Sequence, residues 1–235
     1  YQLLSEDKNF NMGSRVVGRV AEIQFKKGDY QSAVKSFHQL EQLATNKNEQ
    51  YNAWNGLMES FFLLSQYDSA DVYARIILER GGVSAGGQNK ASLYLGKSAM
   101  ARGDYESAQD EFLNTLNTAQ DEYGAEAKYL LAEIFHRNKE YKKSYETLQG
   151  LTEDFAAYDE WVGKAYLLMA DNFVEMDQVF QARATLQSLI DNFPMQSIKD
   201  VASRRLKEID QAEAERKRAL EAADTLETDT LDTNR

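Results

Sequence analysis

Apolar and small residues recur along this chain at intervals of three and four, the spacing of one face of an α-helix. The whole pattern then repeats. With Tyr30 as a register mark, equivalent positions are Tyr67, Tyr105, Tyr141 and Val179, at spacings of 37, 38, 36 and 38 residues. Three residues after each mark stands a small residue: Ala33, Ala70, Ala108, Ser144 and Ala182. Four further on come Phe37, Ala74, Phe112, Leu148 and Leu186, and three beyond those Leu40, Ile77, Thr115, Leu151 and Leu189. Ten residues before the marks are Val20, Leu57, Leu95, Leu131 and Met169. Each unit is predicted to be a helical hairpin, with an A helix before the mark and a B helix beginning near it. Gly28 and Gly103 suit a helix end that needs φ > 0, and Asp29 and Asp104 can cap the B helix that follows. No single hairpin buries its apolar face alone, so stacked neighbours must make the core.

The pattern resembles the tetratricopeptide repeat (TPR), whose signature runs W-x2-L-G-x2-Y…A-x3-F…P. Trp54 fills the Trp slot of the second unit, Leu95-Gly96 reproduces the Leu-Gly pair in the third, and Pro194 takes the Pro slot of the fifth. Elsewhere the Trp slot holds Val17, Ser92, Lys128 and Tyr166, and the period exceeds the usual length of about 34 residues. The resemblance covers residues 14–195, as units 14–50, 51–88, 89–124, 125–162 and 163–195. It implies an all-α fold: an α-α superhelix (solenoid) of about five hairpins, a C-terminal capping helix, and a concave face lined mainly by A helices.

At the ends, Tyr1 and Leu4 have the spacing of Phe37 and Leu40, so residues 1–13 are expected to be the remnant of a preceding repeat helix. The chain then reads as the C-terminal part of a longer array, the alternative being a mature protein with a short leading helix. Beyond Pro194, Ile198, Val201, Ala202, Leu206 and Ile209 form an apolar stripe that should cap the last hairpin. Residues 213–224 are charged nearly all round, as a solvated extension or a partner helix. Residues 225–235 are polar and acidic and are expected to be disordered.

Composition narrows the function. The 235 residues include one Pro and no Cys, which favours helix throughout and excludes a disulfide scaffold, a thiol nucleophile and a Cys-ligated metal. Acidic residues number 38 against 27 basic, a formal net charge of −11 that argues against nucleic acid. The mean hydropathy is −0.61, and no apolar run is long enough for a transmembrane segment. The two histidines, His38 and His136, stand 98 residues apart, and His38 is expected at the surface. No HExxH or G-x-S-x-G motif occurs. The Gly-rich stretch 81–87 lacks the Gly-Lys-Ser/Thr of a phosphate loop and reads as a joint between repeats. No catalytic residue, metal ligand or cofactor site is assigned. The enzymatic alternative is a carboxylate–histidine site near Glu133 and His136.

The TPR resemblance also implies where a ligand would lie, at fixed positions of the A helices. These are Asn52, Asn55 and Glu59 in the second unit, Lys90 and Lys97 in the third, and Tyr129, Glu133, His136 and Arg137 in the fourth. The first unit offers Arg15, Glu22, Phe25 and Lys26. Such a mixed lining suits an extended peptide or protein partner. The slots of a chaperone-type carboxylate clamp are not filled, and Glu22 and Glu59 would repel a terminal carboxylate. The expected function is therefore a non-catalytic interaction scaffold. A structural spacer, or an array that self-associates through its ends, is the alternative. The phrases "VAEIQFKKGDY" and "LAEIFHRNKEY" resemble bacterial cell-envelope TPR proteins, which implies a periplasmic or envelope location, with the cytoplasm as the alternative.

Overall fold

The computed structural model describes the backbone of residues 2–80 and 84–232 and the side chains of residues 13–80 and 84–219. The described residues form eleven helices and no strand: α1 (Gln2–Lys26), α2 (Tyr30–Leu43), α3 (Lys47–Leu63), α4 (Tyr67–Arg80), α5 (Ala85–Ala101), α6 (Tyr105–Leu116), α7 (Glu122–Arg137), α8 (Tyr141–Asp154), α9 (Asp159–Glu175), α10 (Val179–Asn192) and α11 (Gln196–Asp232). All five register marks are the first residues of B helices: α2, α4, α6, α8 and α10. The fifteen positions three, seven and ten residues after the marks are all buried, none more than 5% exposed. The repeat register therefore fixes which face of each B helix enters the core.

The A-to-B turns share one geometry. Gly28, Ser65, Gly103, Lys139 and Asp177 all have positive φ. The residue after each donates its N–H back across the turn, as from Asp29 to Gln24 O (3.0 Å) and from Glu140 to Phe135 O (2.8 Å). This closes the end of each A helix with a left-handed residue and a long-loop hydrogen bond. Asp29 and Asp104 then accept from the backbone N–H of Ser32 and Ser107, as their positions before the B helices predict. The Ser32 and Ser107 hydrogen bonds hold both carboxyls below the usual aspartate range.

The chain divides into two compact units, residues 1–134 and 135–235. In the first, α2 packs between α1 and α3, and α4 between α3 and α5. Ala33, Phe37 and Leu40 of α2 meet Ala21 of α1 and Ala53 and Leu57 of α3. Ala74 and Ile77 of α4 meet Trp54 and Met58 of α3 and Ala91 and Leu95 of α5. The Trp54 indole donates to Glu41 Oε1 at 2.9 Å, so the signature tryptophan is tied to its polar edge. In the second unit α10 packs between α9 and α11. Ile198 and Ala202 of α11 are buried with Leu186 and Leu189, and Val201, Leu206 and Ile209 pack beside them. The expected stripe is thus the cap of the last hairpin.

Three expectations change. α1 is one continuous helix across position 13, with no turn between the expected remnant and the first unit. The Gly-rich stretch is not a loop throughout: Ser84 caps α5, and Ala85, Gly86 and Gly87 lie in its first turn. Residues 81–83 fall outside the described residues. The C-terminal segment expected to be disordered is helical to Asp232, because residues 196–232 hold neither Gly nor Pro and are rich in Ala, Glu, Lys, Arg and Leu. Residues 233–235 lie outside the described residues.

Candidate functional site

In the first unit, α1 and α3 are neighbouring A helices, and a groove of about 330 Å³ runs between them. Two glycines open it. A Cβ at Gly56 would lie 2.3 Å from the Phe37 ring, so glycine lets that ring reach the helix backbone. At Gly18 a Cβ would stand 3.4 Å from Leu40, in ordinary contact. The groove is accordingly lined by Phe37 and Leu40 together with the two glycines. Around them stand Arg15, Glu22, Phe25 and Lys26 of α1 and Asn52, Asn55 and Glu59 of α3. Every one of those seven is a position the repeat resemblance assigns to a ligand. Ser14 donates to Glu49 at 3.0 Å beside the groove, joining α1 to α3.

The charged candidates are paired with one another. Glu59 accepts from Asn55 Nδ2 at 2.8 Å and from the Tyr94 hydroxyl at 3.3 Å, and lies 2.9 Å from Lys90 Nζ. Lys97 donates to Glu126 at 2.7 Å and stands 4.9 Å from the Tyr94 ring centroid. These four charged side chains are only 17–23% exposed. Burial, with Glu59 and Glu126 nearby, pushes the Tyr94 hydroxyl far above its ordinary range. The cluster is therefore a neutralised bridge from α3 through α5 to α7. Asn52 is exposed at the groove mouth.

Tyr129 and Glu133 lie half-buried on α7 in the first unit, and His136 and Arg137 belong to the second. There, His136 Nδ1 lies 2.7 Å from Asn172 Oδ1, and Asn172, fully buried, donates to Ser144 Oγ at 2.9 Å. A bond to an amide oxygen requires Nδ1–H, so this side chain is held as a donor in a structural network. Beside it, Asp171 pairs with Arg205 at 2.7 Å, and Arg205 also donates to the Leu167 carbonyl at 2.8 Å. Burial raises the Asp171 carboxyl above its usual range despite Arg205. His38, expected at the surface, has its side chain 42% exposed while its ring packs edge-on against Phe61 and Tyr73, with ring centroids 6.0 and 5.9 Å away. Among the described residues no group of three or more His, Asp or Glu is placed to hold a metal ion. No helix of the described residues is long and apolar enough to cross a membrane.

Sequence reasoning missed the groove floor, because Phe37 and Leu40 occupy core slots of the repeat. It also missed the charge pairing, although a signal existed. Glu59 and Lys97 both stand eight residues before a mark, and Lys90 and Glu126 fifteen before the next.

Comparison with known proteins supports the fold. Residues 93–164 and 164–194 match family models described as tetratricopeptide repeat. No curated protein matches the chain significantly. Among solved structures, one of nearly identical TPR-like repeats from Podosopora anserina is 12% identical, with a TM-score of 0.58 over 82% of this chain and 96% of that one. A thermophilic TPR protein of Thermus thermophilus is 15% identical, with a TM-score of 0.54 over 82% and 98%. YrrB, described as a TPR protein with an unusual peptide-binding site, is 13% identical, with a TM-score of 0.52 over 80% and 90%. The fold is that of a TPR solenoid.

Proposed function

Because the chain is a tetratricopeptide-repeat protein, we propose that it is a non-catalytic scaffold that binds an extended peptide segment on its A-helix face. The observation that carries this is the groove between α1 and α3, where Gly18 and Gly56 leave Phe37 and Leu40 to line its base. One large apolar side chain of the ligand enters the groove. The exposed Asn52 amide meets its backbone, as peptide grooves commonly arrange, while Asn55 holds Glu59 in place beside it. Since Glu59, Lys90, Lys97 and Glu126 neutralise one another, they set the shape of the surface and contribute little net attraction.

The test is fluorescence anisotropy on short extended peptides carrying one large apolar residue, with affinities expected in the micromolar range. Gly18→Leu fills the groove from a position where a Cβ makes only ordinary contact. It should weaken binding by about tenfold or more, a loss of about 1.4 kcal/mol, and leave the melting temperature nearly unchanged. Asn55→Ala should weaken it less. If no peptide binds, or if both variants bind as the parent does, the groove is not the site.

A further inference from the structure

In the second unit α9 and α11 are neighbours, and a groove of about 530 Å³ runs between them. α11 lines it with Glu208, Ile209, Ala212 and Glu213, which recur at the spacing of one helical face. α9 adds Asp171, Val174 and Glu175, again from one face. The turn that follows α9 contributes Asp177 and Val179. The walls between the charges are therefore apolar, and Val174 is 39% exposed there.

Five carboxylates line this groove against two guanidiniums, those of Arg205 and Arg216. Arg205 is held to α9, donating to Asp171 at 2.7 Å and to the Leu167 carbonyl at 2.8 Å. Arg216 lies 3.7 Å from Asp177, and Arg183 holds Glu213 at 2.6 Å. His136 also lines the groove, with its Nδ1–H bound to Asn172 Oδ1. Glu175 and Glu208 are left uncompensated. Among the described residues Glu175 accepts only the neutral Tyr141 hydroxyl, at 3.0 Å, and Glu208 has no hydrogen bond or ion pair. Burial raises the Asp171 carboxyl, and Glu175 and Glu208 raise it further against Arg205, so the three carboxylates lie within electrostatic reach of one another. The first unit differs: there Lys90 cancels Glu59, and Glu126 cancels Lys97.

The ligand must match both the excess negative charge and the apolar walls. A metal ion matches only the charge, and among the described residues no three such groups are placed to hold one. An acidic or purely apolar ligand would cover Glu175 and Glu208 without a partner, which is costly. A long basic side chain fits both features, because its methylene stem packs on apolar surface while its head stays with the carboxylates. We propose that the α9–α11 groove binds a lysine or arginine side chain of a partner polypeptide, the stem on Val174 and Ile209 and the cationic head at Glu175 and Glu208. The site belongs to the second unit and works independently of the α1–α3 groove, which takes an uncharged side chain.

NMR titration of the full chain with a short serine–alanine peptide carrying one arginine tests the proposal. Amide resonances within 171–179 and 205–216 should shift, and a lysine in place of the arginine should shift the same set. Gly18→Leu should leave these shifts unchanged. Citrulline keeps the stem of arginine and removes its charge, and it should weaken binding about tenfold. Diaminopropionic acid keeps a charge and removes most of the stem, and it should also bind more weakly than lysine. Glu175→Gln combined with Glu208→Gln should weaken the arginine peptide about tenfold. Both side chains are exposed, so the fold should survive, as circular dichroism will show. A peptide that shifts nothing, or shifts resonances evenly over the whole acidic surface, overturns the site. Citrulline binding as tightly as arginine overturns the role of charge, and shifts confined to α1 and α3 overturn the placement in this groove.

Discussion

Ser65, Lys139 and Asp177 hold φ values of 58°, 62° and 56°, in the left-handed region that Gly28 and Gly103 enter without a side-chain clash. The register demands that conformation one residue before the end of every A-to-B turn, whatever residue stands there. For a non-glycine residue it costs about 1–2 kcal/mol, while glycine costs more entropy in the unfolded chain. Ser65→Gly, Lys139→Gly and Asp177→Gly should each raise stability by about 0.5–1 kcal/mol. Urea unfolding should show this as a higher midpoint at unchanged slope. Two of the five turns were legible from composition, through Gly28 and Gly103. The other three were legible only through periodicity, because Ser-Gln-Tyr and Lys-Glu-Tyr carry little turn signal of their own. His38 shows what local reading leaves out: it is surface-placed as its position after a core phenylalanine suggests, but its ring also meets Phe61 and Tyr73 of the neighbouring hairpin.

Between helices, close approach is set by which A-helix positions lack a side chain. In α5, Gly96 and Gly86 lie on one helix in opposite circumstances. A Cβ at Gly96 would meet the Phe112 ring at 2.5 Å, and Phe112 is fully buried, so the ring has nowhere to go. At Gly86 the nearest atom would be an Asp121 carboxylate oxygen at 3.6 Å. Alanine gains about 1 kcal/mol over glycine in a helix interior, less in a first turn, and overpacking a core costs about 1–3 kcal/mol. Gly96→Ala should therefore destabilise by about 1–2 kcal/mol in chemical denaturation, and Gly86→Ala should be neutral or stabilising. A common sign for the two would contradict this account of the packing. The same scale explains what was readable of the site. The repeat resemblance assigned Arg15, Glu22, Asn52 and Asn55 to ligand-facing positions, and the structure sets all four around one groove. The resemblance did not say that Glu59 and Lys90 would neutralise each other, because that depends on which neighbouring A helix each side chain reaches.

Over the whole chain, equivalent register positions meet different surroundings. α1 has Val16, Val20 and Ile23 exposed at positions that are buried in α3 and α5, whereas α11 buries Ile198 and Ala202 and turns Lys207 outward. α11 itself has two parts. Up to Ile209 it packs on α9 and α10, and residues 211–219 are exposed all round. Among the described residues, the later part forms the ion pairs Arg183–Glu213 (2.6 Å) and Arg216–Asp177 (3.7 Å), exposed pairs each contributing about 0–1 kcal/mol. A chain ending at 212 should therefore lose at most about 2 kcal/mol and melt only a few degrees below the full chain. A chain ending at 195 uncovers Leu167, Leu186 and Leu189, and at about 1.5–3 kcal/mol for each buried aliphatic side chain its last hairpin should open. Because repeat stability passes through nearest neighbours, hydrogen exchange should accelerate first in α9 and α10 and leave α2 and α3 protected. Uniform loss of protection along the whole chain would mean that α11 acts on more than the hairpin it touches.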